Sequence, residues 1–172
     1  LHELKSKNTN VCSISPKENN VINIIPESKE LGYVGKPKQI NKEKILSFIK
    51  NKQIPIVVPL GLGDDGRIYN INADVAAGSI AKEIDARRLL LMTDVEGVLD
   101  ENQKLISEIN LNKANEMLKN NIISGGMIPK INTCLDAISN GVRGVVIVDG
   151  RKPHSILFEL FSDKGAGTLI RK

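Results

Sequence analysis

The period of apolar and polar positions changes repeatedly along the chain, and each change marks an element. From residue 1 to about Pro37 the sequence is polar and rich in Asn, Lys and Ser, with one β-branched patch, Val21 to Ile25, between turn formers. This predicts irregular structure with one or two hairpin strands. Asn41 then offers a helix cap, and Ile40 is placed to staple onto Ile45. Ile45, Leu46 and Ile49 make one apolar face of a helix running to about Asn51. Ile54 to Leu60 is nearly continuously apolar, the pattern of a strand buried on both faces, and Gly61 to Gly66 predicts the turn after it.

The second half alternates more regularly. Asp74 to Ile84 is Ala-rich and helical, Leu89 to Thr93 is a buried strand, and Leu111 to Asn120 is a short helix with Ala114, Met117 and Leu118 on one face. Ile128, Ile131, Leu135 and Ile138 step at helical spacing to a stop at Asn140-Gly141. Val145 to Val148 is the next strand, Pro153 suits the first turn of a helix through Phe161, and Thr168 to Ile170 is a last short strand. Repeated strand, helix, strand order predicts an α/β fold: an open three-layer αβα sandwich with a largely parallel sheet. Ligands in such folds bind beyond the C-terminal ends of the strands.

Composition narrows the picture. Aromatics are only 3% of the chain with no Trp, so the core must be built from Ile, Leu, Val and Ala. A net charge of +4 could point to nucleic acid, but Lys and Glu are interspersed and no basic block carries stacking aromatics. Cys12 and Cys134 are far apart and without metal-ligand spacing, which indicates neither a disulfide framework nor a zinc site and suits a reducing compartment. No apolar run approaches the roughly 20 residues that span a bilayer, so no membrane partner is expected. Walker-type, GxGxxG, HExxH and CxxC patterns are absent from the sequence.

Three segments carry candidate chemistry. Asn70-Ile71-Asn72-Ala73-Asp74 opens the Ala-rich helix, where amide groups and the helix dipole favour anions; plain capping by Asn72 or Asp74 explains the same residues. The strand Leu89 to Thr93 breaks into Asp94-Val95-Glu96-Gly97-Val98-Leu99, the position a nucleotide takes in a parallel sheet, or simply a loop. Ser124-Gly125-Gly126-Met127-Ile128-Pro129-Lys130 brings a glycine pair into a helix with a lysine one turn in. That lysine can reach a phosphate, or it is a surface lysine behind a glycine turn.

In this order, the three segments resemble the amino acid kinase family, and within it the acetylglutamate kinase branch. Glu30-Leu31-Gly32-Tyr33-Val34-Gly35, Val58-Pro59-Leu60-Gly61, Asp149-Gly150-Arg151-Lys152-Pro153-His154-Ser155 and Gly165-Ala166-Gly167-Thr168 extend the resemblance from Leu31 to Ile170. It implies ATP-dependent phosphorylation of the side-chain carboxylate of N-acetylglutamate, with Mg2+ on the ATP phosphates. By the same resemblance Asn70 binds acetylglutamate with Asn72 beside it, Asp74 orients catalytic lysines, and Lys130 is one of them. Thr93, Asp94, Val95, Glu96, Gly97, Val98 and Leu99, with Ile122, Ile123, Ser124 and Met127, match the ATP-binding segments.

The chain departs from the family at its start. The family's Lys-x-Gly-Gly phosphate loop, second glycine pair and substrate-binding arginine do not occur in it. The resemblance therefore reads residues 1–37 as the remnant of an N-terminal substrate lobe and 38–172 as the nucleotide-binding lobe. It implies weak nucleotide binding and no activity for this chain alone. The tail from Gly150 is similar to the arginine-inhibited branch, in which His154 and Gly167 would lie near the effector; a closing helix and strand with an exposed His fits the same residues. A homo-oligomer, dimeric or hexameric if arginine-inhibited, and a PII-type signalling protein are the macromolecular partners this branch implies, in the cytoplasm or a plastid. Two readings compete: an amino acid kinase with a different acceptor, and a non-catalytic regulatory domain of the same fold.

Overall fold

The computed structural model describes residues 2–172; Leu1, the first residue of the expected irregular stretch, lies outside them. Two compact units make up the chain, Leu1–Ile84 and Asp85–Lys172. The lobe boundary expected at residues 37 and 38 falls inside a strand, Gly35–Ile40, that pairs with its neighbour from end to end. Such a ladder does not divide, and the units meet instead just after a helix end at Ile84.

The first unit runs α1 (His2–Ser6), β1 (Val11–Ile14), β2 (Ile22–Pro26), β3 (Gly35–Ile40), α2 (Lys42–Lys50), β4 (Ile54–Val57), β5 (Leu60–Gly63), β6 (Ile68–Asn70) and α3 (Ala73–Glu83). The expected hairpin is β2 with β3, antiparallel from Ile22 opposite Ile40 to Pro26 opposite Gly35. The polar N-terminal stretch also holds α1 and β1, which the sequence pattern did not indicate. β1 pairs in parallel with β4, so its partner comes from beyond α2.

The apolar run from Ile54 to Leu60 is not one strand buried on both faces. Pro59 has no amide to donate into a ladder, and the run breaks there. β4 joins β1, while β5 enters a second sheet of order β3-β2-β5-β6. Ile54 and Val58 are exposed. The turn expected over Gly61 to Gly66 is correspondingly shorter, because Gly61 and Gly63 belong to β5. Asn41 caps α2 as expected, its side chain accepting from the Lys44 amide at 3.0 Å. The buried face of α2 is Ile45 with Phe48; Ile49 is exposed. These side chains close over a core of Ile14, Val21, Ile22, Ile24, Tyr69 and Ile71.

The second unit contains β7 (Leu89–Thr93), β8 (Glu108–Asn110), α4 (Leu111–Lys119), α5 (Met127–Ser139), β9 (Gly144–Asp149), α6 (Ser155–Phe161) and β10 (Gly167–Arg171). Its sheet has the order β7-β9-β10-β8. All six residues of β9 are buried, as a strand flanked by two neighbours and covered by α5 and α6 requires. β7 is parallel to β9, β10 is antiparallel to β9, and β8 is parallel to β10. α5 buries Ile131, Cys134, Ala137 and Ile138, and stops at Asn140 with Gly141 at φ +109°. α6 begins two residues later than Pro153 suggests, because His154 adopts a left-handed φ of +60° that a helix cannot contain. The result is the parallel-rich α/β layering the alternating pattern predicts. No helix among the described residues is long and apolar enough to cross a membrane.

Candidate functional site

In the first unit, β6 delivers Asn70 to the mouth of α3. Ile71 is buried and anchors the crossing, so the residues on either side, Asn70 and Asn72, are turned outward and exposed. The Asn70 amide donates to the Tyr33 carbonyl at 2.8 Å and the Ile71 amide to the Pro59 carbonyl at 2.9 Å, which fixes the approach. Asn72 is the helix cap: its Oδ1 accepts from the Asp74 and Val75 amides at 3.0 and 3.2 Å. Capping thus accounts for Asn72 but not for exposed Asn70. Asp74 is half-buried in the first turn, where the exposed amides of a helix favour a carboxylate.

The turn leading into β6 is itself fastened. The Tyr69 hydroxyl donates to Asp65 Oδ2 at 2.8 Å, and Asp65 Oδ1 accepts from the Arg67 amide at 3.0 Å. The Arg67 amide, then the Tyr69 hydroxyl, hold the Asp65 carboxyl below its ordinary value, and the carboxylate pushes the Tyr69 hydroxyl above its own.

In the second unit, β7 and β9 run in parallel with Thr93 opposite Asp149, so both strands end at one edge of the sheet. The loop that leaves β7 there folds into one wall of a cleft of about 260 Å³. Val95, Gly97, Val98 and Leu99 line that wall, and Ile122, Ile123, Ser124 and Met127 face them. The structure therefore gathers most of the expected nucleotide residues in one place. Thr93, Asp94 and Glu96 are not among the lining residues. Glu96 pairs instead with Lys152, and the Thr93 hydroxyl donates to Asp94 at 3.3 Å. The lining mixes apolar side chains with the polar groups of Asp100, Gln103 and Ser124, which can accept both the face and the edge of a planar base.

Gly97 has φ +147°, and a Cβ there would lie 2.6 Å from Thr168 Oγ1 and 2.7 Å from Leu105 Cδ1. The loop lies this flat only because residue 97 lacks a side chain. Two lining residues were missed in the sequence, Asp100 and Gln103. Asp100 Oδ1 accepts from the Asn102 and Lys104 amides at 2.8 and 2.9 Å, closing a turn that puts Gln103 in a left-handed conformation. The polar run Asp100-Glu101-Asn102-Gln103 was the available signal, a turn directly after the strand-end loop.

Beside the cleft, Gly125 (φ +56°) and Gly126 lead into α5. No side chain caps this helix, and Lys130 sits half-buried one turn in. Asn70, Asn72 and Asp74 thus belong to the first unit, and Lys130 with the cleft to the second.

The end of β9 carries a charged clamp. Asp149 is buried, and its two oxygens accept from Arg151 Nε and a terminal guanidinium nitrogen at 3.0 Å each, and from the Arg151 amide at 2.9 Å. These bonds, the side-chain ones foremost, hold the Asp149 carboxyl at about 2 against an ordinary 3.8. A carboxylate depressed on folding stabilises the chain above its unfolded value, and that contribution disappears as pH falls through the folded value. Arg151→Ala should therefore lower the urea midpoint at neutral pH, with the two proteins converging as the pH approaches about 2. A constant difference between their midpoints across that range would contradict this assignment.

His154 and Gly167 border two adjoining hollows. Gly167 lines a hollow of about 450 Å³ together with Lys152, Pro153, Ser155 and Phe158. His154 lines an adjoining one of about 260 Å³ with Met92 and Leu157, and the two hollows share Lys152, Pro153 and Ser155. Gly167 also has a packing reason to be glycine, since a Cβ there would run into the Ile147 carbonyl oxygen.

Residues 2–149 match the family model described as the amino acid kinase family. The chain is 58% identical over all 172 of its residues to an acetylglutamate kinase of Pelagibacter ubique, of which it covers 59%. It is 48% identical over 176 aligned positions, spanning the whole chain, to an acetylglutamate kinase of Clostridioides difficile, of which it covers 60%. A solved structure of smu.665 from Streptococcus mutans superposes with a TM-score of 0.82 at 32% identity, over 99% of this chain and 64% of that one. The chain therefore spans about three-fifths of the length of the curated relatives it matches. With the family model matching most of its residues and the fold agreeing, this chain belongs to the amino acid kinase family.

Proposed function

We propose that this chain carries the nucleotide-binding part of an acetylglutamate kinase, an enzyme that moves the γ-phosphoryl group of ATP onto the side-chain carboxylate of N-acetylglutamate. The observation that supports it most strongly is that eight of the eleven residues the resemblance assigns to ATP, on two separate segments, line one cleft beside the end of β7. The 58% identity to a kinase of that name supports the acceptor.

In this reading the base lies between Val98 and Met127, with the phosphates toward the glycines that open α5. Transfer between two anions needs positioning and charge neutralisation rather than covalent catalysis. Lys130 meets the charge that grows on the phosphoryl oxygens, and by the resemblance Asp74 has an orienting role toward catalytic lysines of the complete enzyme and Asn70 binds the acceptor. Magnesium, arriving on the ATP phosphates, supplies further neutralisation. The first unit belongs to the acceptor lobe of the complete enzyme, which works as a soluble homo-oligomer. Arginine at the tail and a PII-type protein are its candidate regulators.

The test is ATP-dependent acyl phosphate formation, trapped with hydroxylamine, for the chain alone and extended by upstream coding sequence. Acetylglutamate, glutamate, aspartate and carbamate are offered as acceptors. Hydroxamate from acetylglutamate alone, in the extended form, is the expected result. Preference for another acceptor overturns the specificity. Folded, ATP-binding protein without product in either form favours the regulatory-domain reading.

A further inference from the structure

We infer that Thr168 is the positioning residue of the nucleotide loop, holding it at the height the base requires through one buried hydroxyl; the inference rests on the reading of the cleft as a nucleotide site. Thr168 is completely buried in β10, opposite Ile147 of the fully buried β9. Because β10 runs antiparallel to β9, its first residues stand at the edge where β7 and β9 end. There the hydroxyl works in both directions. It accepts from the Val98 amide at 2.8 Å and donates to the Ile106 carbonyl at 2.6 Å.

Val98 and Ile106 are also joined directly, the Ile106 amide donating to the Val98 carbonyl at 2.9 Å. One side chain thus pins both arms of the excursion between residues 98 and 106 to β10, which is paired along its length with the fully buried β9. What this excursion presents to the cleft, from Leu99 to Gln103, springs from that anchor, and Asp100 closes the turn at its far end. Gly97 completes the arrangement, since a Cβ at 97 would strike Thr168 Oγ1 and lift the loop. Valine at 168 would keep the shape but leave a buried amide and carbonyl without their shared partner. Serine would keep both bonds. Thr168 itself does not line the cleft.

ATP titration of the chain, followed by amide NMR shifts of residues 95–103, reads the effect even when binding is weak. Thr168→Val should weaken ATP about tenfold, the worth of one well-made buried hydrogen bond. Thr168→Ser should bind like the unaltered chain. Equal ATP affinity in Thr168→Val, or loss of affinity in folded Thr168→Ser, overturns the inference. If Thr168→Val does not fold, hydrogen exchange in the unaltered chain decides: the Val98 amide should exchange as slowly as those of β9, and fast exchange overturns the anchor. Failure of the unaltered chain to bind ATP overturns the nucleotide reading itself, and this inference with it.

Discussion

Replacing Lys130 with alanine in the active kinase is expected to lower kcat by about 10²- to 10³-fold, with KM for ATP and acetylglutamate changed little. The expectation follows from where the charge develops. On the proposed reading ATP is held by its base as well as its phosphates, so one lysine contributes modestly to binding. The phosphoryl oxygens carry their least compensated charge as the group passes between two anions, and on that reading the lysine one turn into α5 acts at that stage. Lys130→Arg should recover little, because a planar guanidinium does not reproduce a compact ammonium at a fixed point. Steady-state kinetics in both substrates decide the matter. A raised KM with kcat preserved would make Lys130 a binding residue, and unchanged kinetics would remove it from the mechanism.

Gly167→Ala should cost about 3 kcal/mol of stability, the upper end of what overpacking usually does. The atom in the way is the backbone carbonyl oxygen of Ile147, in a strand whose every residue is buried. No rotamer change relieves that contact, so β9 and β10 must separate locally. Gly126→Ala is the natural control, because nothing lies within 4 Å of the added carbon and the backbone there is already right-handed helical. It should shift stability by less than about 0.5 kcal/mol. Urea denaturation of the two variants checks both numbers. A loss under about 1 kcal/mol in Gly167→Ala would show that the strand pair is looser than the geometry implies.

Much of this was legible in the residues because local signals and tertiary packing agree. Leu89 to Thr93 is a strand at the expected residues, since an apolar run ended by Asp and Gly has few alternatives. Asn41 and Asn72 cap as their positions suggest, because an Asn side chain before a helix satisfies amides whatever the fold around it. The cleft was legible through resemblance rather than spacing, because its two walls are separated by a strand and a helix that no local pattern links.

The misses have particular causes. β1 was hidden because its burial is half supplied by β4, a partner no local pattern names. The run Ile54 to Leu60 has the apolarity of one strand, but the missing amide of Pro59 divides it between two sheets. Asp100 and Gln103 were missed because a polar turn gives no sign of which cavity it borders. In the sequence Thr168 is only the end of a glycine-rich string, Gly165-Ala166-Gly167-Thr168. Its burial and its two hydrogen bonds exist only once β10 has docked beside β9.

The central claim is that the second unit receives ATP in the cleft between the loop after β7 and the start of α5. A crystal structure of the chain with a non-hydrolysable ATP analogue tests it most directly. The account predicts the adenine between Val98 and Met127, and the terminal phosphates beside Gly125, Gly126 and Lys130. Adenine in the hollow lined by Gly167 and Phe158, with the cleft left to solvent, would contradict it.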